Sequence, residues 1–301
     1  MNQILKFLID RLENEYGAEE VNKIVEGYSK KRISSFRINS LKTNIKEVEN
    51  ELQNNGVKDF ESINFEGEVD GIIIDSKLEN TIRDMDIYKN GNIYFQSLSS
   101  MLPPIFLEIE EGYDILDMAA APGGKTTEMA AISSNKANIT AVEFNKNRYE
   151  KLKYNIELQG AKCTTLLKDG RRLDDFLKFD SILLDAPCSG SGTLNIENID
   201  DNFSENLVKK CISIQEQMLR KACKLIKRGK SIIYSTCSIL KEENEEIVNK
   251  VLNENKNLEI EKIDVSRLKN IELLPSNIDG TITVMPNEYY EGFYIAKIRK
   301  N

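Results

Sequence analysis

The chain has 301 residues, 40% of them hydrophobic, five cysteines, no histidine and a formal net charge of −8. That is enough apolar mass for one large domain, or one large and one small, while the missing histidines exclude Ser-His-Asp and Cys-His machinery, His-ligated metals and imidazole proton shuttles. The cysteines, at 163, 188, 211, 223 and 237, are odd in number and not spaced as zinc ligands, so free thiols, a reducing compartment and no metal are expected.

Residues 2–15 read as a first helix, with Leu5, Leu8 and Leu12 on one face and charges throughout. It lacks the basic-then-apolar layout of a signal peptide, and no apolar run is long enough to cross a membrane, so a cytoplasmic protein with no membrane partner is expected. Residues 35–39 alternate as a strand, Asn44 is placed to cap a helix running to about residue 55 with Gly56 ending it, and residues 71–75 form another strand. Residues 1–90 therefore read as a small α+β module. Lys30, Lys31, Arg32, Arg37, Lys42 and Lys46 cluster within it, either as a solvated face or as a local basic groove on an acidic protein.

From about residue 91 to 301 the rhythm changes to strand then helix. Strands are expected at 113–117, 138–143, 163–167, 180–185 and 231–236, with helices at 125–132, 146–159, 204–226 and 242–253. Such alternation predicts an α/β fold, a mostly parallel sheet with helices on both faces and a ligand past the carboxyl ends of the strands. Asp117, Glu143, Asp169, Asp185 and Cys237 all fall at or just beyond those ends. A second basic cluster, Lys209 to Lys230, falls on the long third of these helices and the residues just after it. Residues 281–284 and 292–296 read as two closing antiparallel strands flanking a turn at Pro286 and Asn287.

Three strings carry chemistry. Ala119-Ala120-Ala121-Pro122-Gly123-Gly124-Lys125-Thr126 is a glycine loop opening a helix, where free amides and close backbone approach suit a nucleotide-like ligand. It also matches a P-loop loosely, which makes an ATPase one alternative, but Ala119 replaces the first glycine and Pro122 stiffens the loop. Glu143, about 20 residues on, is the acid that grips ribose hydroxyls in nucleotide folds, and Asp169 is then placed to hold an adenine amine. Asp185-Ala186-Pro187-Cys188 sets an acid and a thiol at a strand end, suited to a flat heterocycle. Thr236-Cys237 sets a second thiol on the same rim, a nucleophile if Lys125 and helix N-termini lower its pKa. Taken singly, each cysteine fits a buried structural role as well.

Together these strings resemble the RNA (cytosine-5) methyltransferase family, the Sun and RsmB/RsmF group. The resemblance runs from Gln96-Ser97-Leu98-Ser99-Ser100 through the glycine loop, then Arg148, Asn155 and Gly160, to Glu242-Glu243-Asn244-Glu245 and Glu291-Gly292-Phe293-Tyr294-Ile295-Ala296. Phe36-Arg37-Ile38-Asn39 resembles the family's small N-terminal module. The resemblance implies a Rossmann-like methyltransferase domain, S-adenosyl-L-methionine as cofactor and RNA as partner, ribosomal RNA before transfer RNA. It implies that Ala119, Ala120, Ala121, Pro122, Gly123, Gly124 and Lys125 line the cofactor's methionine side and Arg148 stands with them. Glu143 would take ribose, Asp169 adenine, and Asp185 both cofactor and target base. Cys237 would be the nucleophile and Cys188 the thiol that helps release product. The chain departs from the family at the acidic and polar stretch 195–202 and at Asn287, where a histidine is usual nearby. RNA grip is then expected from residues 1–90 and the basic helix faces, or from a partner, and a non-catalytic RNA-binding assembly factor is the second alternative.

Overall fold

The computed structural model describes residues 3–65, 67–196, 203–266, 268 and 270–301. Asn2, expected in the first helix, and 197–202 of the acidic stretch lie outside the described residues. Helices α1 (Gln3–Tyr16) and α2 (Ala18–Ser29) meet at Gly17. Leu8 and Leu12 of α1, with Val21, Ile24 and Tyr28 of α2, are buried against Phe203, Val208, Ile239, Leu240 and Met285.

After α2 the chain forms β1 (Ser34–Ile38), α3 (Ile45–Asn54), β2 (Phe60–Phe65), β3 (Val69–Ile74), the short helices α4 (Glu79–Arg83) and α5 (Asp86–Lys89), and β4 (Ile93–Phe95). The four strands make an antiparallel sheet in the order β2-β3-β1-β4. Asn44 caps α3 as expected, its side chain accepting from the Glu47 amide at 3.1 Å. The sheet face of Phe36, Ile38, Ile72 and Ile74 closes over Val48 and Leu52 of α3.

The expected boundary at residues 90 and 91 does not follow this packing. β4 lies beyond it and yet pairs with β1, Phe36 opposite Phe95, while α1 and α2 lie before it and pack on the far end of the chain. Periodicity shows that a helix has an apolar face but not which surface covers it.

Next come α6 (Leu98–Ile105), β5 (Asp114–Asp117), α7 (Gly124–Ile132), β6 (Asn138–Glu143), α8 (Lys146–Gln159), β7 (Cys163–Leu167), β8 (Phe179–Asp185), α9 (Glu205–Leu225), β9 (Ile226–Thr236) and α10 (Glu245–Glu254). The chain closes with β10 (Leu258–Glu261), β11 (Leu273–Leu274), β12 (Ile282–Val284) and β13 (Phe293–Lys300). Among the described residues the large sheet runs β11-β12-β13-β9-β8-β5-β6-β7, with β10 on β13. β9, β8, β5, β6 and β7 are parallel, and β13 returns antiparallel along β9.

Strand interiors are apolar on both faces, as a covered parallel sheet requires. Ile182 and Leu184 point into one core with Ile232 and Tyr234, and Leu183 into the other with Ile233 and Met129. Each such fully buried side chain contributes about 1.5–3 kcal/mol.

Two boundaries differ from expectation. β9 starts at Ile226 and α9 ends at Leu225, so the strand consumes a segment whose lysines and glycine read as a turn. The helix expected from 242 begins at Glu245, after a single 3-10 turn at Lys241–Glu243. No described helix is long and apolar enough to cross a membrane.

Chain order reverses about β5. The chain leaves β5 toward β6 and β7 on one side, then returns to place β8 and β9 on the other. A crevice opens at such a switch point, beyond the carboxyl ends of the strands.

Candidate active site

Asp117 ends β5 and is buried, and it accepts from Thr126 Oγ1 at 2.6 Å. Burial pushes its carboxyl up to about 6, against the Thr126 hydrogen bond and with the help of the Asp185 charge. The loop that follows hangs between two strands, since the Met118 amide donates to Leu183 O (3.0 Å) and the Ala120 amide to Val142 O (2.9 Å). Its Ala121–Pro122 peptide is cis. Two α8 side chains hold its carbonyls: Arg148 Nη2 donates to Ala121 O at 2.6 Å and Asn155 Nδ2 to Pro122 O at 2.7 Å. Gly123 then turns into α7 at φ +110°, a left-handed conformation that favours glycine. A Cβ on Gly124 would stand 3.0 Å from the Tyr94 ring, so the loop fits closely under β4.

Over this loop, at the β5/β8 switch, lies a cavity of about 400 Å³. Ala119, Ala120, Ala121, Pro122, Gly124, Lys125, Asp185 and Cys237 line it, together with Asp117, Tyr94, Ser100 and Phe293. Gly123, Glu143, Arg148, Asp169 and Cys188 lie outside that lining. Glu143 is buried at the end of β6, accepting from the Asn145 amide at 2.8 Å, with Arg148 Nη1 3.6 Å away. Asp169 follows β7, where Arg171, 2.7 Å away, holds its carboxyl below the usual carboxylate range. Both acids continue the rim of strand ends away from the cavity.

At the centre, Lys125 Nζ donates to Asp185 Oδ2 at 2.9 Å and to Ser100 Oγ at 2.8 Å, while Ser235 Oγ donates to Asp185 Oδ1 at 2.8 Å. Burial works to lower the lysine's pKa, but the Asp185 charge and hydrogen bond, with the charges of Glu128 and Cys237, outweigh it and raise it, so Lys125 stays an ammonium. Cys188 Sγ and Cys237 Sγ are 3.0 Å apart. They meet because β8 and β9 pair in parallel with Asp185 opposite Ser235, and each thiol follows within three residues of that pair on strands about 4.8 Å apart. The hydrogen bond shared with Cys237 and then burial push the Cys188 thiol well up. The other three thiols lie apart from the cavity, and burial pushes Cys163, Cys211 and Cys223 up to about 12, 11 and 12, which leaves them as inert packing groups.

Three members of the early basic cluster are tied into the protein. Arg37 is 1% exposed; its Nη2 donates to Thr127 Oγ1 at 3.0 Å and its Nε to Gln96 Oε1 at 3.4 Å, 4.0 Å from Glu128. Arg32 donates to the Gly192, Thr193 and Leu194 carbonyls, and Lys42 to those of Asn90 and Leu158. In the later cluster Arg220 pairs with Glu216 and Glu254, and Lys227 with Asp180.

The sequence does not single out Ser100, Gln96 or Ser235 for a role. Gln96 Nε2 donates to Glu128 Oε2 (2.6 Å) and to Ser100 O (3.0 Å). That carbonyl has no helical donor because Pro104, four residues on, lacks an N–H.

Residues 104–299 match the family described as 16S rRNA methyltransferase RsmB/F. The chain is 36% identical over 233 residues to ribosomal RNA small subunit methyltransferase F of Shewanella piezotolerans, covering 74% of this chain and 48% of that protein. It is 32% identical over 281 residues to the protein of the same name from Vibrio cholerae, covering 88% and 57%. The chain thus spans about half the length of these curated relatives. A methyltransferase homolog protein from Pyrococcus horikoshii superposes with a TM-score of 0.80 at 29% identity, covering 97% of this chain and 94% of that one. NSun6 from Pyrococcus horikoshii, solved with SFG, an S-adenosylmethionine analogue, shares the fold with a TM-score of 0.82 at 24% identity and 97% coverage of both chains. With a matched segment that takes in the glycine loop, both thiols and every strand of the parallel sheet, the chain belongs to the RsmB/F family of S-adenosylmethionine-dependent methyltransferases.

Proposed function

We propose that this protein methylates carbon 5 of a cytosine in ribosomal RNA through a transient bond from Cys237, with transfer RNA as the other substrate to test. One observation carries the reading: Cys237, the Lys125–Asp185 pair and the 119–124 loop line a single cavity, with the Cys188 thiol 3.0 Å from that of Cys237. The cofactor suits the donor set, because the loop brings backbone to the cavity, Gly124 keeps it close under the Tyr94 ring, and Asp117 and Asp185 face it. When bound, S-adenosylmethionine supplies an electrophilic methyl group on a sulfonium.

The residues then divide the work. Carbon 5 of cytosine is a poor nucleophile. Addition of the Cys237 thiolate at carbon 6 sends an electron pair to carbon 5, which can then take a methyl group. Charge that builds on ring nitrogen 3 is met by a proton from the Lys125 ammonium, relayed through Asp185 and returned when the ring is restored. Loss of the carbon-5 proton to a base drives out the Cys237 thiolate and restores the ring, with Cys188 beside it to assist release. The base must leave any helix to reach the cavity.

A phosphate-binding lysine would be needed for an ATPase, whereas the Lys125 ammonium is held by Asp185 and Ser100. The test is incubation of the protein with labelled S-adenosylmethionine and 16S ribosomal RNA, followed by bisulfite mapping. A single 5-methylcytosine is expected. Binding of RNA and cofactor with no 5-methylcytosine would favour the assembly-factor reading and overturn this one.

A further inference from the structure

Behind the two thiols lies a carboxylate that the mechanism above does not use. Glu243 sits in the 3-10 turn before α10 and is wholly buried. Its Oε1 accepts from the Ser189 amide at 2.9 Å and from Gln215 Nε2 at 3.0 Å. Its Oε2 accepts from Ser189 Oγ at 2.5 Å and Ser238 Oγ at 2.6 Å. Ser189 directly follows Cys188, and Ser238 directly follows Cys237. Gln215 also donates to the carbonyl of Pro187, the residue before Cys188, at 2.8 Å. The backbone of the turn is itself pinned, since Tyr234 Oη donates to Glu243 O at 2.6 Å.

This is a costly construction for packing alone. A buried carboxylate is tolerated only when its lone pairs are filled, and here three of the four donors come from the two thiol-bearing loops, the fourth being Gln215 of α9. Hydrogen bonds to a charged acceptor are shorter and about twice as strong as neutral ones, so the four bonds act as a brace between loops that carry no regular structure. We propose that Glu243 is a positioning residue for both thiols, its carboxylate tying the loop after Cys188 to the loop after Cys237 and so setting the distance between the sulfurs. Its effect on turnover rests on the methyl-transfer reading; its effect on the thiols does not.

Phenylarsine oxide reports that distance without RNA or cofactor. Two S–As bonds form as the two thiol protons leave with the arsenical oxygen as water, and no atom changes oxidation state. Wild-type protein should give arsenic bridging Cys188 and Cys237, located by mass spectrometry. Glu243→Ala should slow that capture ~10-fold or more and, with RNA and S-adenosylmethionine, lower kcat ~100-fold with KM nearly unchanged, the scale of a displacement of about 1 Å. Glu243→Gln, which keeps one acceptor and the side-chain shape, should recover much of both. The Ser189→Ala/Ser238→Ala double variant should reproduce the slow capture with the carboxylate in place, and it decides the matter if Glu243→Ala does not fold. Capture at the wild-type rate in folded Glu243→Ala, or in the serine double variant, would overturn the proposal. Normal capture dependence on Glu243 in a protein that transfers no methyl group would instead overturn the proposed function and leave the positioning role standing.

Discussion

The two halves of the strand-end rim are built in different ways. After β5 the cavity floor turns within a few residues, a left-handed Gly123 opening α7, and a single neighbouring helix, α8, holds its carbonyls through Arg148 and Asn155. After β8 a left-handed Gly190 likewise opens a 3-10 turn at Ser191–Thr193, but the loops after β8 and β9 are held mainly by other parts of the chain. Their thiols are set largely by contacts distant in sequence: Glu243 on Ser189, Arg32 on the 192–194 carbonyls, and Tyr28 Oη donating to Ser191 O at 2.5 Å. Even the backbone there is shared, because a Cβ on Gly192 would fall 1.9 Å from Gly292 O. A site that binds a small molecule through backbone can be shaped by one short loop braced by its neighbouring elements. A site that must place two sulfurs relative to each other needs distant segments to agree.

The comparison sharpens most if the thiol half is broken first. Cys237→Ala should cut methyl transfer by on the order of 10⁴, in line with loss of a catalytic nucleophile, while calorimetry finds S-adenosylmethionine affinity nearly unchanged. Retained turnover would end the nucleophile assignment. Cys188→Ala should slow turnover by ~10² or more, the worth of a proton-transfer group, and leave an RNA–protein adduct that survives denaturing electrophoresis. An adduct in Cys237→Ala instead would mean that the two thiols exchange roles.

The cofactor half should fail differently. Gly124→Ala forces a methyl group against the Tyr94 ring, 3.0 Å away. Overpacking of about 1–3 kcal/mol should appear as ~10-fold weaker S-adenosylmethionine binding, with little change in arsenical capture at the thiols. A loss of thiol capture as well would show that the halves are not independent.

Smaller still is a pH effect at Asp117. Its folded carboxyl is raised to about 6 from 3.8, so the folded protein binds the proton more tightly than the unfolded chain. The resulting stability is full below pH 3.8 and lost as pH rises through about 6. Asp117→Asn removes this dependence. The melting temperature of the wild type minus that of the variant should therefore fall between pH 4 and 7, and a constant difference would contradict the buried, raised carboxyl. Least affected should be Cys163→Ser, a thiol outside the cavity, with turnover within about twofold in the same methylation assay.

Strand positions along the large sheet were legible because alternating strand and helix, with apolar strand interiors, writes itself in local composition. Hence β5, β6, β7 and β8 fall close to the expected residues. The pairing of 281–284 with 292–296 also holds, as Ile282 lies opposite Ile295. Arg37 shows the limit. Counted with surface lysines, it is sealed between the small sheet and α7, where Thr127 and Glu128 meet it. Charge counted along a sequence carries no depth.

From its own letters the chain determined the glycine loop, the acids at strand ends and the two thiols of the rim, because each depends on a few neighbouring residues and a strand's end. Tertiary structure alone decided that α1 and α2 cover the far end of the chain, that β4 joins the small sheet, and that Glu143 and Asp169 lie outside the cavity lined by Asp185 and Cys237. It also decided that Glu243 stands behind both sulfurs. Those outcomes turn on which apolar face meets which, and on which buried donors a carboxylate can reach, and neither quantity exists until the strands have paired.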